Sequence, residues 1–335
     1  MSPRRPRLSL DVFESGIRAG DRGVLAQAIT LIESSEAHDG VLAQELLNRL
    51  LPSTGGARRV GITGVPGVGK STFIDELGTR LTQQRLKVAV LAVDPTSSVS
   101  GGSILGDKTR MARLAIDPQA FIRPSPSGLS PGGVARRTRE TMLLCEAAGF
   151  DVVLIETVGV GQGETAVADM VDCFLVLMLP GSGDELQGIK KGILELADLI
   201  AVNKADGDGA DRARVAIGDL KAALRYLPAR LDEWKAAVLA VSGKTGLGVD
   251  ELWAQIEAHR AALSQTGTLK ALRARQNRAW MWAIISDRLE RAFREDVSVA
   301  SQLAELEGRV LSGALTPKGA ADQLLSAFGV KVASD

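Results

Sequence analysis

Histidine is almost missing from this chain: only His38 and His259 occur in 335 residues. Cysteine is as scarce, with Cys145 and Cys173 alone, each among apolar neighbours. A zinc site draws on clustered His and Cys, so that chemistry is excluded, and so is a disulfide framework. Both thiols are expected to be buried and unpaired. Long apolar runs are missing too. None is longer than residues 173–179, which have the length of a strand and fall far short of the roughly 18–20 residues that cross a bilayer. An excess of basic charge is also lacking, because Lys+Arg and Asp+Glu stand at 40 each. Nucleic-acid binders carry a basic footprint and membrane-surface proteins a basic amphipathic helix. Neither pattern is present, so no nucleic-acid or membrane partner is expected. The stretch with Arg4, Arg5 and Arg7 is broken by proline and has no apolar segment behind it, so it reads as a tail and not as a secretory signal. These absences point to a cytoplasmic protein, or an organellar one after import.

What is present is apolar and periodic. Hydrophobic residues make up 45% of the chain, enough for a large core with attachments. Three segments follow one another without internal repeats. Residues 1–56 hold helices, with apolar positions at helical spacing in Val24, Leu25, Ala28, Ile29 and Ile32 and again in Val41, Leu42, Leu46, Leu47 and Leu50. Residues 57–263 alternate short apolar runs with amphipathic stretches. The expected strands are 59–63, 87–93, 120–123, 152–156, 173–179, 199–203 and 237–242. They are apolar on both faces, as strands of a covered parallel sheet are. The fold class is therefore α/β: a doubly wound, mostly parallel sheet flanked by N- and C-terminal helical extensions. Residues 264–335 form the C-terminal extension. Trp280, Trp282, Ile284, Ile285, Leu289 and Phe293 lie on one long helix there. That face fits either a layer on the sheet or a dimerisation arm.

In such a sheet, ligands sit at the carboxyl ends of the strands, and the motifs fall there. Gly64-Val65-Pro66-Gly67-Val68-Gly69-Lys70-Ser71 is a complete G-x-x-x-x-G-K-[ST] between a strand and a helix that continues with Thr72. Glycines let backbone N–H groups turn toward phosphate oxygens, and a helix N-terminus favours the anion. Lys70 is placed for the β- and γ-phosphates and the Ser71 hydroxyl for Mg²⁺. Asn203-Lys204-Ala205-Asp206 is N-K-x-D after an apolar strand. The Asp206 carboxylate can accept from guanine N1–H and its amine, a donor pair that adenine lacks. The Lys204 stem can cover one face of the base, and Asn203 can tie the loop to its neighbours. Ser242-Gly243-Lys244 follows the last strand and offers backbone N–H groups to guanine O6. Glu156 ends the fourth strand and is followed by Gly159, an E-x-x-G in the place where many GTPases have D-x-x-G. Glu156 is expected to hold Mg²⁺ and Gly159 to meet the γ-phosphate, with Gln162 a candidate for catalysis. Asp94 ends the second strand, and Asp107 lies in the Ser/Gly-rich loop beyond it. Each suits either the metal and attacking water or a helix cap. Together the catalytic candidates are Lys70, Asp94, Asp107 and Glu156, and the metal candidates Ser71, Asp94, Asp107 and Glu156. Arg110 and Arg113 are cations without an assigned place.

These residues, with V-D-P-T-S-S at 93–98, G-G-S-I-L-G-D-K-T-R-M at 101–111 and L-P-G-S-G-D-E-L-Q-G-I-K-K-G at 179–192, closely resemble the MeaB/ArgK family of GTPases. That family includes the human methylmalonic aciduria type A protein. The resemblance covers nearly the whole chain. It implies a Mg²⁺-dependent GTPase related to the signal-recognition-particle and MinD class. It also implies a G-protein chaperone that gates adenosylcobalamin delivery to methylmalonyl-CoA mutase and protects or reactivates the mutase. Family members are typically homodimers through C-terminal helices. The resemblance further makes Gly181–Gly192, with Asp184, Glu185, Lys190 and Lys191, a switch toward the mutase. Composition alone reads it as a solvated charged turn. Hydrolysis is expected to be slow alone and stimulated by the partner. Two other classes share parts of this pattern. A kinase of the amino-acid-transport type needs an acceptor pocket and a base, which no motif supplies. A nickel metallochaperone GTPase shares the fold but carries the Cys/His clusters missing here.

Overall fold

The computed structural model describes residues 8–34, 36–93, 110–124, 131–157, 163–181, 191–227 and 229–331. Three short helices come first: α1 (Leu10–Arg18), α2 (Arg22–Glu33) and α3 (Ala37–Leu50). Ser9 caps α1 by accepting from the Val12 amide, and Asp21 caps α2 by accepting from Gly23 and Val24. Such caps satisfy N–H groups that a helix start leaves without partners. Most of the apolar stripe read from the sequence faces inward, with Leu25, Ala28, Ile29, Ile32, Leu46, Leu47 and Leu50 buried and Val24 and Leu42 half-buried, but Val41 stands exposed near the start of α3.

The sheet follows. In chain order its elements are β1 (Arg58–Gly64), α4 (Lys70–Gln83), β2 (Val88–Val93), α5 (Ala112–Ala115), β3 (Ala120–Arg123), α6 (Pro131–Ala147), β4 (Val152–Thr157), α7 (Gly163–Ala168), β5 (Cys173–Met178), α8 (Lys191–Leu196), β6 (Leu199–Val202), α9 (Ala210–Leu224), β7 (Ala237–Ala240) and α10 (Val249–Gln265). The seven strands lie in the order β3-β2-β4-β1-β5-β6-β7, and every pair is parallel. The expectation was a mostly parallel sheet. Among the described residues it is entirely so.

Alternation along each strand sends successive side chains to opposite faces, and the core divides accordingly. On one face Ala89, Leu91, Val93, Val153, Ile155, Phe174, Val176, Ile200 and Val202 pack with α1–α3, α6 and α7. On the other, Val60, Ile62, Val88, Val90, Val152, Leu154, Leu175, Leu177 and Leu199 pack with Phe73, Ile74, Leu77 and Leu81 of α4 and Leu252, Trp253 and Ile256 of α10. Both cysteines are buried and free, and burial pushes both thiols up from their ordinary pKa.

The chain forms two compact units, Met1–Arg273 and Ala274–Asp335. The second contains most of α11 (Thr268–Glu295), then α12 (Val297–Leu311) and α13 (Pro317–Ala327). Asp296 caps α12, and Thr316 caps α13, which starts on Pro317. Within this unit Val299 and Leu306 are buried, and the rings of Phe293 and Phe328 meet edge to face at 5.3 Å. Met281, Trp282, Leu289, Val297 and Leu311 stay exposed. No helix of the described residues is long and apolar enough to cross a membrane.

Candidate functional site

The turn from β1 into α4 carries the glycine-rich loop. Gly69, immediately before α4, has φ 92°, a left-handed conformation open to glycine at little cost. A Cβ there would also stand 3.0 Å from Asn203 Nδ2. Lys70 begins the helix and is only 9% exposed. Its Nζ donates to Gly64 O at 2.7 Å and Val65 O at 3.3 Å, both backbone carbonyls of its own loop. Burial lowers the Lys70 pKa from its usual 10.5, and the negative charges of Glu156 and Glu164 oppose that shift. Ser71 Oγ donates to Glu156 Oε1 at 3.1 Å. A hydroxyl from the first turn of α4 and a carboxylate from the end of β4 thus meet, the donor types that a hard cation such as Mg²⁺ takes. Beside them the Thr157 hydroxyl donates to Thr63 Oγ1 at 2.7 Å, joining β4 to β1 at their carboxyl ends.

The second half of the site comes from the ends of β6 and β7. Asn203 is buried and faces two ways. Its Nδ2 donates to Val68 O at 2.8 Å, and its Oδ1 accepts from Gly243 N at 3.0 Å. Lys204 has φ 59° and reaches back so that Nζ donates to Gly67 O at 2.9 Å. A non-glycine residue in that conformation is uncommon and marks a backbone held by its surroundings. Asp206 precedes the short turn Gly207–Gly209, and its carboxylate forms no capping bond to it. The loop after β7 is folded on Ser242, whose Oγ accepts from the amides of Lys244 and Thr245 at 3.3 and 3.2 Å. Gly243 lies so close to α4 that a Cβ would stand 2.8 Å from Phe73 Cα. Only glycine lets this loop rest directly on the helix that begins at Lys70.

The structure therefore brings together Gly64, Val65, Pro66, Gly67, Val68, Gly69, Lys70, Ser71, Thr72, Glu156, Asn203, Lys204, Asp206, Ser242, Gly243 and Lys244 at the carboxyl edge of one sheet. Asp94, Asp107, Gly159 and Gln162 lie outside the described residues, as do Asp184, Glu185 and Lys190. Arg113 has a definite place: Nε donates to Asp75 Oδ2 at 2.9 Å and Nη2 to Glu76 Oε2 at 2.7 Å. Asp75 also accepts from Leu114 N at 2.9 Å. Arg113 is thus held on the flank of α4. Sequence reasoning missed these two carboxylates, and it missed Glu164, which is buried at the start of α7 and acts on Lys70. Spacing gives no signal for any of the three, because their partners lie far along the chain.

The family model described as methylmalonyl Co-A mutase-associated GTPase MeaB matches residues 25–298. A Caulobacter vibrioides protein named as a GTPase is 57% identical over 97% of this chain and 99% of its own. The mitochondrial methylmalonic aciduria type A homolog of Mus musculus is 46% identical over 95% of this chain and 79% of its own. A solved structure described as a LAO/AO transport system kinase superposes with a TM-score of 0.79 at 38% identity, covering 98% of this chain and all of that one. The match along most of the chain, joined to a P-loop and an N-K-x-D loop meeting at one sheet edge, makes this chain a member of the methylmalonyl-CoA mutase-associated MeaB family of P-loop GTPases.

Proposed function

We propose that the chain binds GTP and Mg²⁺, hydrolyses GTP slowly to GDP and phosphate, and serves as a G-protein chaperone for an adenosylcobalamin-dependent methylmalonyl-CoA mutase. The observation that carries the nucleotide reading is Asn203, whose one side chain bonds both the phosphate-type loop and the loop after β7. In this reading Lys70 leaves its loop carbonyls for the β- and γ-phosphate oxygens, and the helix start and loop amides complete the cradle. Asp206 accepts from the guanine N1–H and amine. Gly243 and Lys244 lie along the base, and the Lys204 stem covers it. Buried polar groups left unpaired by the wrong base give such a site a discrimination of roughly 10⁴. Ser71 and Glu156 would hold Mg²⁺, and in this reading Asp94 and Asp107 join them. The cation supplies positive charge where negative charge builds on the transferring phosphoryl group.

The chaperone role and the mutase rest on the family and on the mouse relative's name. The exposed Met281, Trp282 and Leu289 of α11 support a homodimer through residues 264–335, since contiguous apolar surface marks an interface. A cytoplasmic location agrees with the composition.

The test is GTP hydrolysis by the purified chain, alone and with saturating methylmalonyl-CoA mutase. Slow turnover that rises clearly with the mutase supports both halves. Turnover indifferent to the mutase removes the chaperone half and leaves the GTPase. The similar structure described as a transport-system kinase prompts a second readout. Transfer of the γ-phosphate to a protein, instead of release as free phosphate, would replace the hydrolase reading.

A further inference from the structure

A cavity of about 380 Å³ opens at the other end of the sheet, beside the amino ends of β6 and β7. Small-molecule sites run from roughly 300 to 1,000 Å³, so its size admits a metabolite. Asp198, the residue before β6, forms part of its wall and is almost wholly buried. The Asp198 carboxylate accepts from Phe174 N at 2.8 Å and pairs with Arg230, whose Nη2 donates to Ala168 O at 2.9 Å. The Trp234 indole N–H donates to Asp198 O at 2.8 Å, and its ring meets His259 edge to face at 5.1 Å. This inner part of the cavity is therefore fixed and its charge is internally balanced.

The outer part carries cations in excess, with Glu195 the one carboxylate besides Asp198 among its described lining residues. Lys221 and Arg225, at the end of α9, and Lys235, before β7, also line the cavity. None of the three has an ion pair among the described residues. Some exposed cations on other helices of this chain have partners one turn away, as Arg49 with Glu45, Arg294 with Glu290 and Lys318 with Asp322. Lys221 and Arg225 are themselves one turn apart, and like charges at that spacing repel. The helix dipole accounts for one cation in the last turn of α9. It does not account for two in repelling register with a third arriving from another segment. Leu194, Leu224 and the Trp234 ring add apolar surface to the lining.

We infer that this cavity binds a small phosphate ester with an apolar or aromatic body. Lys221, Arg225 and Lys235 gather around the phosphate, and Trp234 and Leu224 lie against the body. The site is remote from the glycine-rich loop and stands or falls independently of the GTP reading. Phenyl phosphate serves as the probe, titrated calorimetrically into the full chain saturated with GDP and Mg²⁺, so that phosphate cannot enter at Lys70. The Lys70→Ala chain gives a second background that does not depend on GDP binding. The expected result is saturable one-to-one binding with a Kd of about 1 mM or tighter. The double variant Lys221→Glu, Arg225→Glu should weaken it by at least about tenfold, through the lost charge-assisted bonds, with GDP affinity and Tm unchanged. Benzoate and benzyl alcohol should bind at least about tenfold more weakly than phenyl phosphate. Absence of saturable binding, equal binding by the charge-reversed variant, or equal binding of benzoate would overturn the assignment.

Discussion

The two ends of the sheet treat charge in opposite ways. At the amino end, ions are neutralised inside the protein. Arg59 is bidentate on Glu146 at 2.9 and 2.8 Å, with both side chains buried. Arg273, near the start of α11, is bidentate on Asp172 at 2.8 and 2.7 Å. Arg230 closes on Asp198. At the carboxyl end, Lys70 and Lys204 donate to backbone carbonyls of the glycine-rich loop. A carbonyl partner leaves the positive charge uncancelled, so it is available to an arriving anion. One fold thus staples the buried ions of its amino end, apart from the unpaired Lys221, Arg225 and Lys235 at the cavity there, and leaves Lys70 open at the carboxyl end. Breaking a bond at one should cost stability, and at the other ligand binding.

The largest expected effect is at the open end. Asp206→Asn should exchange guanine for xanthine, because the amide then offers a donor where xanthine has an acceptor. The GTP/XTP preference should move by about 10⁴, measured as the ratio of Kd values; an unchanged ratio removes Asp206 as the base reader. At the stapled end, Arg59→Ala strands the Glu146 carboxylate and should cost about 3–5 kcal/mol of unfolding free energy. Urea denaturation measures this, and GTP affinity of the folded fraction should stay within about twofold. A large change in affinity at constant stability would erase the contrast between the ends. Lys70→Ala should lower GTP affinity by about 100-fold through loss of charge-assisted bonds, with little change in the unfolding midpoint; retained micromolar affinity would sink the P-loop assignment.

The smallest effect sharpens the comparison from the side of α4. Burial pushes the Glu76 carboxyl up, but hydrogen bonds from Arg80 and Arg113 outweigh it and hold the group below its usual 4.5. A carboxylate lowered in the folded state stabilises fully above its unfolded value and loses that contribution as pH falls through the lower folded value. Glu76→Gln should therefore cost about 1 kcal/mol at pH 7, and its Tm should converge on that of the parent below pH 4.5. A gap that persists under acid would mean that packing, not charge, gives Glu76 its effect.

What the sequence made legible is local. Apolar runs marked all seven strands, because strands buried on both faces leave no polar alternation to confuse the pattern. Their ends agree or differ by at most two residues. The strand expected at 237–242 stops at Ala240, since Val241 and Ser242 already turn into the loop after β7. The nucleotide motifs were legible because backbone chemistry demands particular residues at fixed spacing. The ion pairs were not. Arg59 and Glu146 lie 87 residues apart, and only the folded topology sets them side by side. Arg113 shows the same limit: its cation was visible in the sequence, but Asp75 and Glu76 on α4 decide where it points. Glu164 belongs to no motif, and only its burial sets its charge to act on Lys70.

Asn203 has a consequence of scale. Because one amide grips Val68 O on one side and Gly243 N on the other, the separation between the two loops is set by the length of a single side chain. In the proposed nucleotide reading the site then works as a gauge as well as a lock. A guanine compound whose sugar and phosphates do not span that interval can occupy one loop or the other, but it cannot bridge both.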